Sequence, residues 1–310
     1  MLRRQFLKSW GAGSLACAGL SGQAVLPNTI LVHEHILVDF IGADKIAPGR
    51  YDSEQVFRAA QPKLEEIKRL GCKRFQEATP NFLGRDARLL KRLSDATGIE
   101  IWTNTGIYGA ANHKFVPEFA RQEPAGQLAD YWITEARNGV EGVKPRFIKT
   151  GVNRGPLDEL DRKLVRAAAI TSRETGLTIT SHTGDGAAAL EELDIVVSEK
   201  VQPAKFVWVH AQSEKDHAIH EKVARGGAWV EFDGISAKSA DWHLECVRFM
   251  AERNLLDRTL ISQDAGWYHV GEPGGGEYRG YTYIYTDFLP KLNPAWVRKL
   301  MVENPERAFS

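Results

Sequence analysis

Residues 146–183 read RFIKTGVNRGPLDELDRKLVRAAAITSRETGLTITSHT and contain one complete unit of the predicted fold. The apolar run Arg146–Val152 predicts a strand, and Leu177–His182 predicts a second one. Between them, Leu157–Thr175 has apolar residues at helical spacing and stops at Gly176, a residue that commonly ends a helix. A strand–helix–strand order predicts two parallel strands joined by a right-handed crossover.

The same alternation extends outward in both directions to eight predicted strands. The other six strands are Thr29–His35, Lys73–Ala78, Glu100–Tyr108, Lys205–His210, Ala228–Phe232 and Thr259–Asp264. The other predicted helices, each followed by a glycine, are Ser53–Leu70, Asp86–Thr97, Gly126–Asn138 and Ser213–Arg225. Ser53 and Ser213 are the expected N-caps.

Eight strands alternating with helices predict an α/β protein with a single (β/α)₈ TIM barrel over residues 25–310. An open doubly wound sheet is the alternative. That fold predicts a glycine-rich phosphate loop after an early strand, and the sequence contains no such loop.

The composition excludes several classes of protein. The chain of 310 residues has 40 basic and 40 acidic side chains, and 43% of its residues are hydrophobic. Zero net charge argues against a nucleic-acid role based on bulk charge. No apolar run reaches the roughly 20 residues that span a bilayer. The cysteines are too few for a disulfide framework, and we interpret Cys72 and Cys246 as buried thiols rather than a bridge.

The N-terminus has the pattern of an export signal. Arg3 and Arg4 precede the apolar stretch 11–20, and small residues near Ala24 suit a signal peptidase. Residues 1–24 are therefore predicted to be a twin-arginine signal peptide, with the mature protein periplasmic or secreted. A basic amphipathic helix is the alternative. A lipoprotein anchor at Cys17 fits less well, because Ser14 stands where such signals usually carry Leu.

Ionisable side chains end the predicted strands, where the catalytic groups of a barrel lie. His33 and His35 are two residues apart, so both imidazoles face the barrel mouth while Glu34 turns away. Two converging histidines indicate a metal site. Asp264 ends strand eight, which neighbours strand one in a ring, and would complete a His₂Asp set. The alternative for His33 and His35 is that they are hydrogen-bonded core histidines. The alternative for Asp264 is that it is the N-cap of the following helix. His182 and His210 end strands five and six.

Lys149 lies near the end of predicted strand four and points into the barrel. An unpaired ammonium there is unfavourable by several kcal/mol and would be repelled by metal cations. Both problems vanish if the amine has taken up CO₂, because a carbamate is an anionic ligand that can bridge two metals. A salt bridge to a carboxylate such as Glu77 is the alternative.

Taken together, these residues resemble the phosphotriesterase family of the amidohydrolase superfamily, from about residue 28 to the C-terminus. The motifs that carry the resemblance are His33-Glu34-His35, Gly84-Arg85-Asp86, Thr105-Gly106-Ile107-Tyr108, Phe147-Ile148-Lys149, Ser181-His182-Thr183, His210, Asp264 and Glu303-Asn304-Pro305.

The resemblance implies a small-molecule hydrolase with two divalent metal ions, commonly zinc. It places one ion on His33, His35 and Asp264, and the other on His182 and His210. A carboxylated Lys149 and a hydroxide would bridge the ions. The resemblance further implies that this hydroxide attacks an ester, lactone or phosphotriester centre, that Asp264 accepts the proton, and that the protein is a homodimer.

The substrate is less constrained by the sequence. Tyr108 resembles the tyrosine that lies near the substrate carbonyl in lactonase members of the family. Members that prefer acyl-homoserine lactones often carry an Arg after the Asp that ends strand seven, whereas this chain has Gly234 after Asp233. Trp267 and Tyr268, after strand eight, either form an apolar wall of the substrate pocket or only cover the barrel top.

Two other functions stay open at this point. The same metal site could cleave an amide, as in the wider superfamily. A non-catalytic periplasmic binding protein on a barrel scaffold is the third hypothesis, but binding alone needs neither Lys149 nor Asp264. Four other histidines lie in charged or polar stretches and receive no role: His113, His217, His220 and His243.

Overall fold

The computed structural model describes residues 25–310, so the predicted signal peptide lies outside the described residues. Within this range, eight parallel strands form the centre of the molecule, β3 being interrupted at Thr103. They are β1 (Thr29–Glu34), β2 (Cys72–Glu77), β3 (Glu100–Trp102 and Asn104–Thr105), β4 (Phe147–Val152), β5 (Ile179–Thr183), β6 (Phe206–Val209), β7 (Trp229–Phe232) and β8 (Thr259–Ile261).

The strands close into a ring. Neighbouring strands pair in parallel in the order of the chain from β1 to β8. Between β8 and β1, the amide of Asp264 donates to the carbonyl of His33 (3.1 Å), and the amide of His35 donates to the carbonyl of Ala265 (2.8 Å). The predicted (β/α)₈ barrel is therefore confirmed, and the open-sheet alternative is wrong.

Helices cover the outside of the ring. They are α1 (Ser53–Arg69), α2 (Ala87–Thr97), α3 (Glu118–Gln122), α4 (Ala125–Asn138), α5 (Glu159–Thr175), α6 (Gly186–Ser198), α7 (His217–Arg225) and α8 (Ala240–Glu252). Short helical segments follow β8, at Ile284–Phe288, Pro294–Arg298, Lys299–Glu303 and Asn304–Ala308. No helix in the described range is both long and apolar enough to cross a bilayer.

The two predicted N-caps are wrong, because aspartates before the helices perform this function. Asp52 accepts a hydrogen bond from the amide of Glu54, and Asp216 accepts one from the amide of Ala218. Ser213 instead ends a short 3₁₀ turn, so α7 begins later than expected. Cys72 and Cys246 are both free and buried, as the sequence predicted.

A bulge in β1 sets the direction of its last side chains. Three steps of β1, from Leu31 to Glu34, pair with two steps of β2. The extra residue shifts the alternation of the strand by one position. Ile30 and Val32, which are two residues apart, belong to the apolar cluster that β1 shares with β6, β7 and β8. Beyond the bulge, the side chains that turn to the barrel mouth are those of the histidine pair.

Candidate active site

The six side chains predicted at the strand ends lie together at the carboxyl end of the barrel. Nε2 of His35 is 3.1 Å from Oδ1 of Asp264, and Nε2 of His33 is 3.8 Å from the same oxygen. Nζ of Lys149 is 3.4 Å from Nε2 of His33. The rings of His182 and His210 are 4.4 Å apart between centroids. All six line one cavity of about 340 Å³.

Two of these residues have left-handed backbone conformations. His210 has φ 63° and Asp264 has φ 49°, values that non-glycine residues rarely adopt. Such strain concentrates at functional sites. It also explains why β6 ends at Val209, whereas the sequence predicted a strand that continued to His210. Strand β8 ends at Ile261, three residues before its predicted end at Asp264.

A buried carboxylate, Asp233, orients two of the histidines. One oxygen lies 3.1 Å from Nδ1 of His33, and the other accepts a hydrogen bond from Nδ1 of His210. Gln212 donates to Asp233 as well (2.8 Å). With Nδ1 engaged, both imidazoles present Nε2 to the cluster, which is the usual arrangement behind a metal site. Sequence analysis gave Asp233 no role, although it follows β7 as the other site residues follow their strands.

Glu231 is a second carboxyl group behind His33, and it differs from Asp233 in protonation. Its Oε1 lies 3.1 Å from Nδ1 of His33. Burial and the negative charge of Asp233 raise the pKa of Glu231 well above its usual range. Asp233 is the ionised member of the pair, because the histidines outweigh its burial and lower its pKa.

His35 is held from the other side by Thr79 and Glu77. Nδ1 of His35 lies 2.7 Å from the Thr79 hydroxyl, which in turn donates to Glu77. Glu77 also accepts the amides of Ile36 and Thr79. Glu77 therefore does not form the salt bridge with Lys149 that the sequence left open as the alternative to a carbamate. Among residues 25–310, no carboxylate oxygen lies within 4.0 Å of the Lys149 ammonium nitrogen.

Glu34 turns away from the mouth, as expected, but it is fully buried. Its carboxylate accepts hydrogen bonds from the Ser262 hydroxyl (2.9 Å) and from the amides of Gln263 (3.0 Å) and Ala265 (2.7 Å). These bonds fix the backbone on both sides of Asp264. The residue between the two histidines thus positions the carboxylate that faces them.

Burial sets the protonation state of the cluster. It lowers the pKa of His33 to about 4, with the charge of Lys149 acting in the same direction. It also lowers the pKa values of His35 and His182, so these imidazoles are neutral and have a free lone pair near pH 7. Burial lowers the pKa of Lys149 as well, which favours the neutral amine.

The donor set fits divalent cations. The ligand atoms of His33, His35 and Asp264 lie within 4.8 Å of one another. Oδ1 of Asp264 is buried and accepts no hydrogen bond within the described part of the chain. A buried carboxylate oxygen without a donor, facing neutral imidazoles, is suited to a metal ion such as Zn²⁺.

Of the three residues predicted to contact substrate, two line the cavity and one does not. The Tyr108 hydroxyl lies in the cavity, 3.0 Å from Nδ1 of His182. Trp267 also lines the cavity and packs on His35, with 4.4 Å between ring centroids. Tyr268 does not line it. Its hydroxyl instead donates to Gln55 on α1 (2.7 Å).

Two histidines left without a role have different surroundings from those expected. His220 and His243 are buried, not exposed on charged or polar faces. Nε2 of His220 lies 2.7 Å from the carbonyl of Ala211, directly after β6. Neither residue lines the cavity, so the two pack behind the barrel strands.

The fold and the site define a metal-dependent hydrolase built on a (β/α)₈ barrel. A sequence profile of the Phosphotriesterase family matches residues 14–309. The chain therefore belongs to the phosphotriesterase family, whose members are binuclear metal hydrolases.

Several known proteins are similar to this chain over most of its length. An aryldialkylphosphatase of Saccharolobus solfataricus is 26% identical over 298 residues, which cover 90% of this chain and 94% of the relative. An N-acetyltaurine hydrolase of Rattus norvegicus is 27% identical over 282 residues, covering 82% and 77%. A solved structure, a single-substitution mutant of an organophosphorus hydrolase from Deinococcus radiodurans, superimposes with a TM-score of 0.81 at 23% identity. It covers 91% of this chain and 93% of its own and shows the shared fold.

Proposed function

We propose that this protein is a binuclear zinc hydrolase that cleaves an ester, lactone or phosphotriester bond in a small molecule. The observation that carries the proposal is the environment of Lys149. Its side chain is 2% exposed, lacks a carboxylate partner within the described range, and lies 3.4 Å from a neutral imidazole of the predicted metal set. A buried ammonium in that position is strongly unfavourable.

A carbamate at Lys149 removes this cost. The neutral amine, which burial favours, adds CO₂ and releases one proton, so that the nitrogen gains a carboxylate group. A carbamate at Lys149 would supply an anionic ligand with two oxygens beside the four histidines and Asp264. Both metal ions would then share one anionic ligand.

The other ligands would be the imidazoles of His33, His35, His182 and His210 and the carboxylate of Asp264. When bound, two zinc ions supply a nucleophilic water at neutral pH and polarise the substrate oxygen. The chain supplies the rest of the chemistry. Asp264, at the open side of the cluster, accepts the proton from the nucleophile.

Tyr108 and Trp267 would position the substrate. The Tyr108 hydroxyl lies above His182, where it can donate a hydrogen bond to the carbonyl or phosphoryl oxygen. Trp267 and Phe40 stack with 5.6 Å between centroids and form an apolar wall that keeps water from the reacting bond. The aryldialkylphosphatase relative supports the phosphotriester among these substrates.

An amide is the second candidate substrate. The N-acetyltaurine hydrolase relative favours it, since that protein's name describes cleavage of an amide by a chain similar to this one. The two candidates separate in a screen of purified, zinc-loaded enzyme against lactones, aryl esters, an organophosphate and N-acyl amines. The class with the highest kcat/KM identifies the bond.

Metal analysis and one variant test the centre itself. We expect two zinc equivalents per chain and a joint loss of metal and activity in Lys149→Ala. Lys91→Ala is the control, because Lys91 is exposed on α2 and pairs only with Asp95. Full activity in Lys149→Ala would refute the carbamate. A protein that binds no metal and hydrolyses none of the compounds would favour a binding protein.

The export and assembly of the protein are also proposals. Residues 1–24 would direct it through the twin-arginine pathway to the periplasm, and the mature chain would form a homodimer. Replacement of Arg3 and Arg4 by lysine should retain the protein in the cytoplasm. Light scattering of the purified mature chain measures its mass in solution.

A further inference from the structure

We infer that Lys114 binds a carboxylate or sulfonate on the substrate, so that the enzyme prefers substrates whose non-reacting part is anionic. This inference rests on the proposed hydrolase function, because it assigns a substrate feature to the same cavity. It concerns a residue outside the set predicted to hold the metals.

Lys114 is the single charged side chain of the cavity wall outside the metal cluster, among the residues that the structure describes. The rest of that wall is apolar or aromatic and includes Phe40, Leu83, Phe115 and Trp267. Within residues 25–310, no carboxylate lies within 4.0 Å of the Lys114 ammonium nitrogen. A lone cation on an apolar wall is one of the few polar groups that fix a ligand's orientation in such pockets.

The side chain of Lys114 is supported on two sides. Its stem runs along Gly42, where an added β-carbon would lie 3.5 Å from both Cγ and Cε of the lysine. Its ammonium nitrogen is 5.5 Å from the centre of the Phe115 ring, within cation–π range. The amide of Ala43 donates to the Lys114 carbonyl (3.1 Å), which ties the residue to the loop after β1.

A strained turn delivers Lys114 to the cavity. The three residues before it, Ala111, Asn112 and His113, all have left-handed conformations, with φ of 55°, 53° and 60°. Each such residue is disfavoured by roughly 1–2 kcal/mol unless its surroundings enforce it. Three in succession indicate a conformation that neighbouring contacts maintain.

Those contacts come from the segment directly after β4, from α5 and from α3. The Asn112 amide donates to Oδ1 of Asn153 (2.9 Å), and Nε2 of His113 lies 3.0 Å from Oδ1 of the buried Asp161. Arg121 donates to the His113 carbonyl (2.7 Å). The contact between His113 and Asp161 thus holds the turn in place. Because β4 also carries Lys149, the turn and the metal cluster share one rigid support.

The arrangement gives the cavity two cationic positions. The proposed metal centre attracts the oxygen of the reacting bond, and Lys114 lies on the wall above it. Lys114 itself is exposed, so an anionic group of a substrate can reach its ammonium. A substrate with a reactive carbonyl or phosphoryl group at one end and an anion at the other satisfies both positions.

Two chromogenic esters that differ by one charge test the inference. They are mono-4-nitrophenyl adipate, which carries a free carboxylate, and its neutral methyl ester. We expect the wild type to prefer the anionic ester by about tenfold in kcat/KM, and about 0.5 M NaCl to reduce this preference. Lys114→Met should bring the ratio of the two values close to one. Lys114→Arg should retain the preference, and Lys114→Glu should reverse it.

Lys45→Met is the matched control. Lys45 is an exposed lysine in the loop after β1 that does not line the cavity, so its loss should leave the ratio as in the wild type. An unchanged ratio in Lys114→Met, or a wild-type ratio near one, would overturn the inference while leaving the hydrolase proposal intact.

A binding measurement separates failure of the inference from failure of the function. Monomethyl adipate, with one carboxylate, and neutral dimethyl adipate are titrated calorimetrically into the zinc-loaded protein. If the anionic ligand binds in a Lys114-dependent manner but the enzyme hydrolyses neither nitrophenyl ester nor any compound of the substrate screen, the hydrolase proposal fails and the anion site stands. If the two ligands bind equally to wild type and Lys114→Met, the anion site is refuted.

Discussion

Asp233 Oδ2 lies 3.1 Å from Nδ1 of His33, and this contact joins the two halves of the proposed metal centre. The other oxygen of the same carboxylate holds His210, which the family resemblance assigns to the second ion. One fully buried side chain therefore orients a histidine from each predicted metal site. The positions of the two sites relative to each other depend on it.

Asp233→Asn should weaken metal binding without removing a predicted ligand. The Asn side chain has only one oxygen that can accept a hydrogen bond from an Nδ1–H group, whereas the Asp carboxylate has two. One of the two imidazoles therefore loses the partner that fixes its orientation. Outer partners of this kind typically contribute about 10–100-fold in metal affinity. Chelator competition measures the affinity. Asp241→Asn, at an exposed position on α8, should match the wild type; equal affinities in both variants would contradict the role of Asp233.

Gly106→Ala should unfold or severely destabilise the protein. Gly106 follows β3 with φ +122°, and an added β-carbon would lie 2.1 Å from the carbonyl oxygen of Lys149. The clash requires β3 and β4 to separate, at a cost of about 3 kcal/mol or more. Gly126→Ala is the control, since Gly126 lies on α4 with open space around it and should gain up to about 1 kcal/mol. Urea unfolding of both variants compares them.

Tyr108→Phe should lower kcat by about tenfold and leave zinc content unchanged. The hydroxyl is proposed to act on the substrate oxygen, and its loss removes one hydrogen bond that strengthens as negative charge develops. Tyr131→Phe removes an exposed hydroxyl from α4 and should have no effect on kcat. A Tyr108→Phe enzyme with wild-type kcat would assign the tyrosine to packing alone.

Strand periodicity and chain order predicted the barrel and the positions of its site residues. The residues His33, Lys149 and Asp264 follow apolar runs, and in a closed ring all carboxyl ends meet at one rim. That reasoning is independent of side-chain detail, so errors of two or three residues in strand length did not affect it. The short strand β6 illustrates this, because the left-handed residue His210 ends it earlier than its apolar run suggested.

Features that depend on tertiary contacts could not be predicted in the same way. The bulge in β1 follows from its pairing with β2, which no local pattern reveals. The direction of the Tyr268 side chain depends on the parallel pairing of residues 268–269 with residues 37–38. In the sequence, Asp233 looks like any other aspartate after a strand. Its role is visible only in the folded structure, where it contacts the Nδ1 atoms of His33 and His210.

The buried carboxyl group of Glu192 should contribute a loss of stability to the metal-free protein as the pH rises from 5 to 8. Glu192 lies on α6, buried behind β5, where it accepts hydrogen bonds from Ser181 and Thr183. Burial raises the pKa of Glu192 from 4.5 to about 8. Glu34 and Glu77 are raised to about 8 for the same reason.

The sign follows from proton linkage. Between pH 4.5 and 8 the folded state retains a proton on Glu192 that the unfolded chain releases, so the free energy of unfolding falls as the pH rises through this window. One such group changes the slope by at most about 1.4 kcal/mol per pH unit.

Glu192→Gln has no proton to release, so its slope should be less negative than that of the wild type, by at most about 1.4 kcal/mol per pH unit. Urea unfolding of metal-free protein at pH 5, 6, 7 and 8 measures the slope directly. Glu66→Gln, an exposed residue on α1, should leave it unchanged. A Glu192→Gln slope equal to that of the wild type would mean that the carboxyl is already ionised behind β5, and that the two hydroxyl donors are sufficient to stabilise the buried charge.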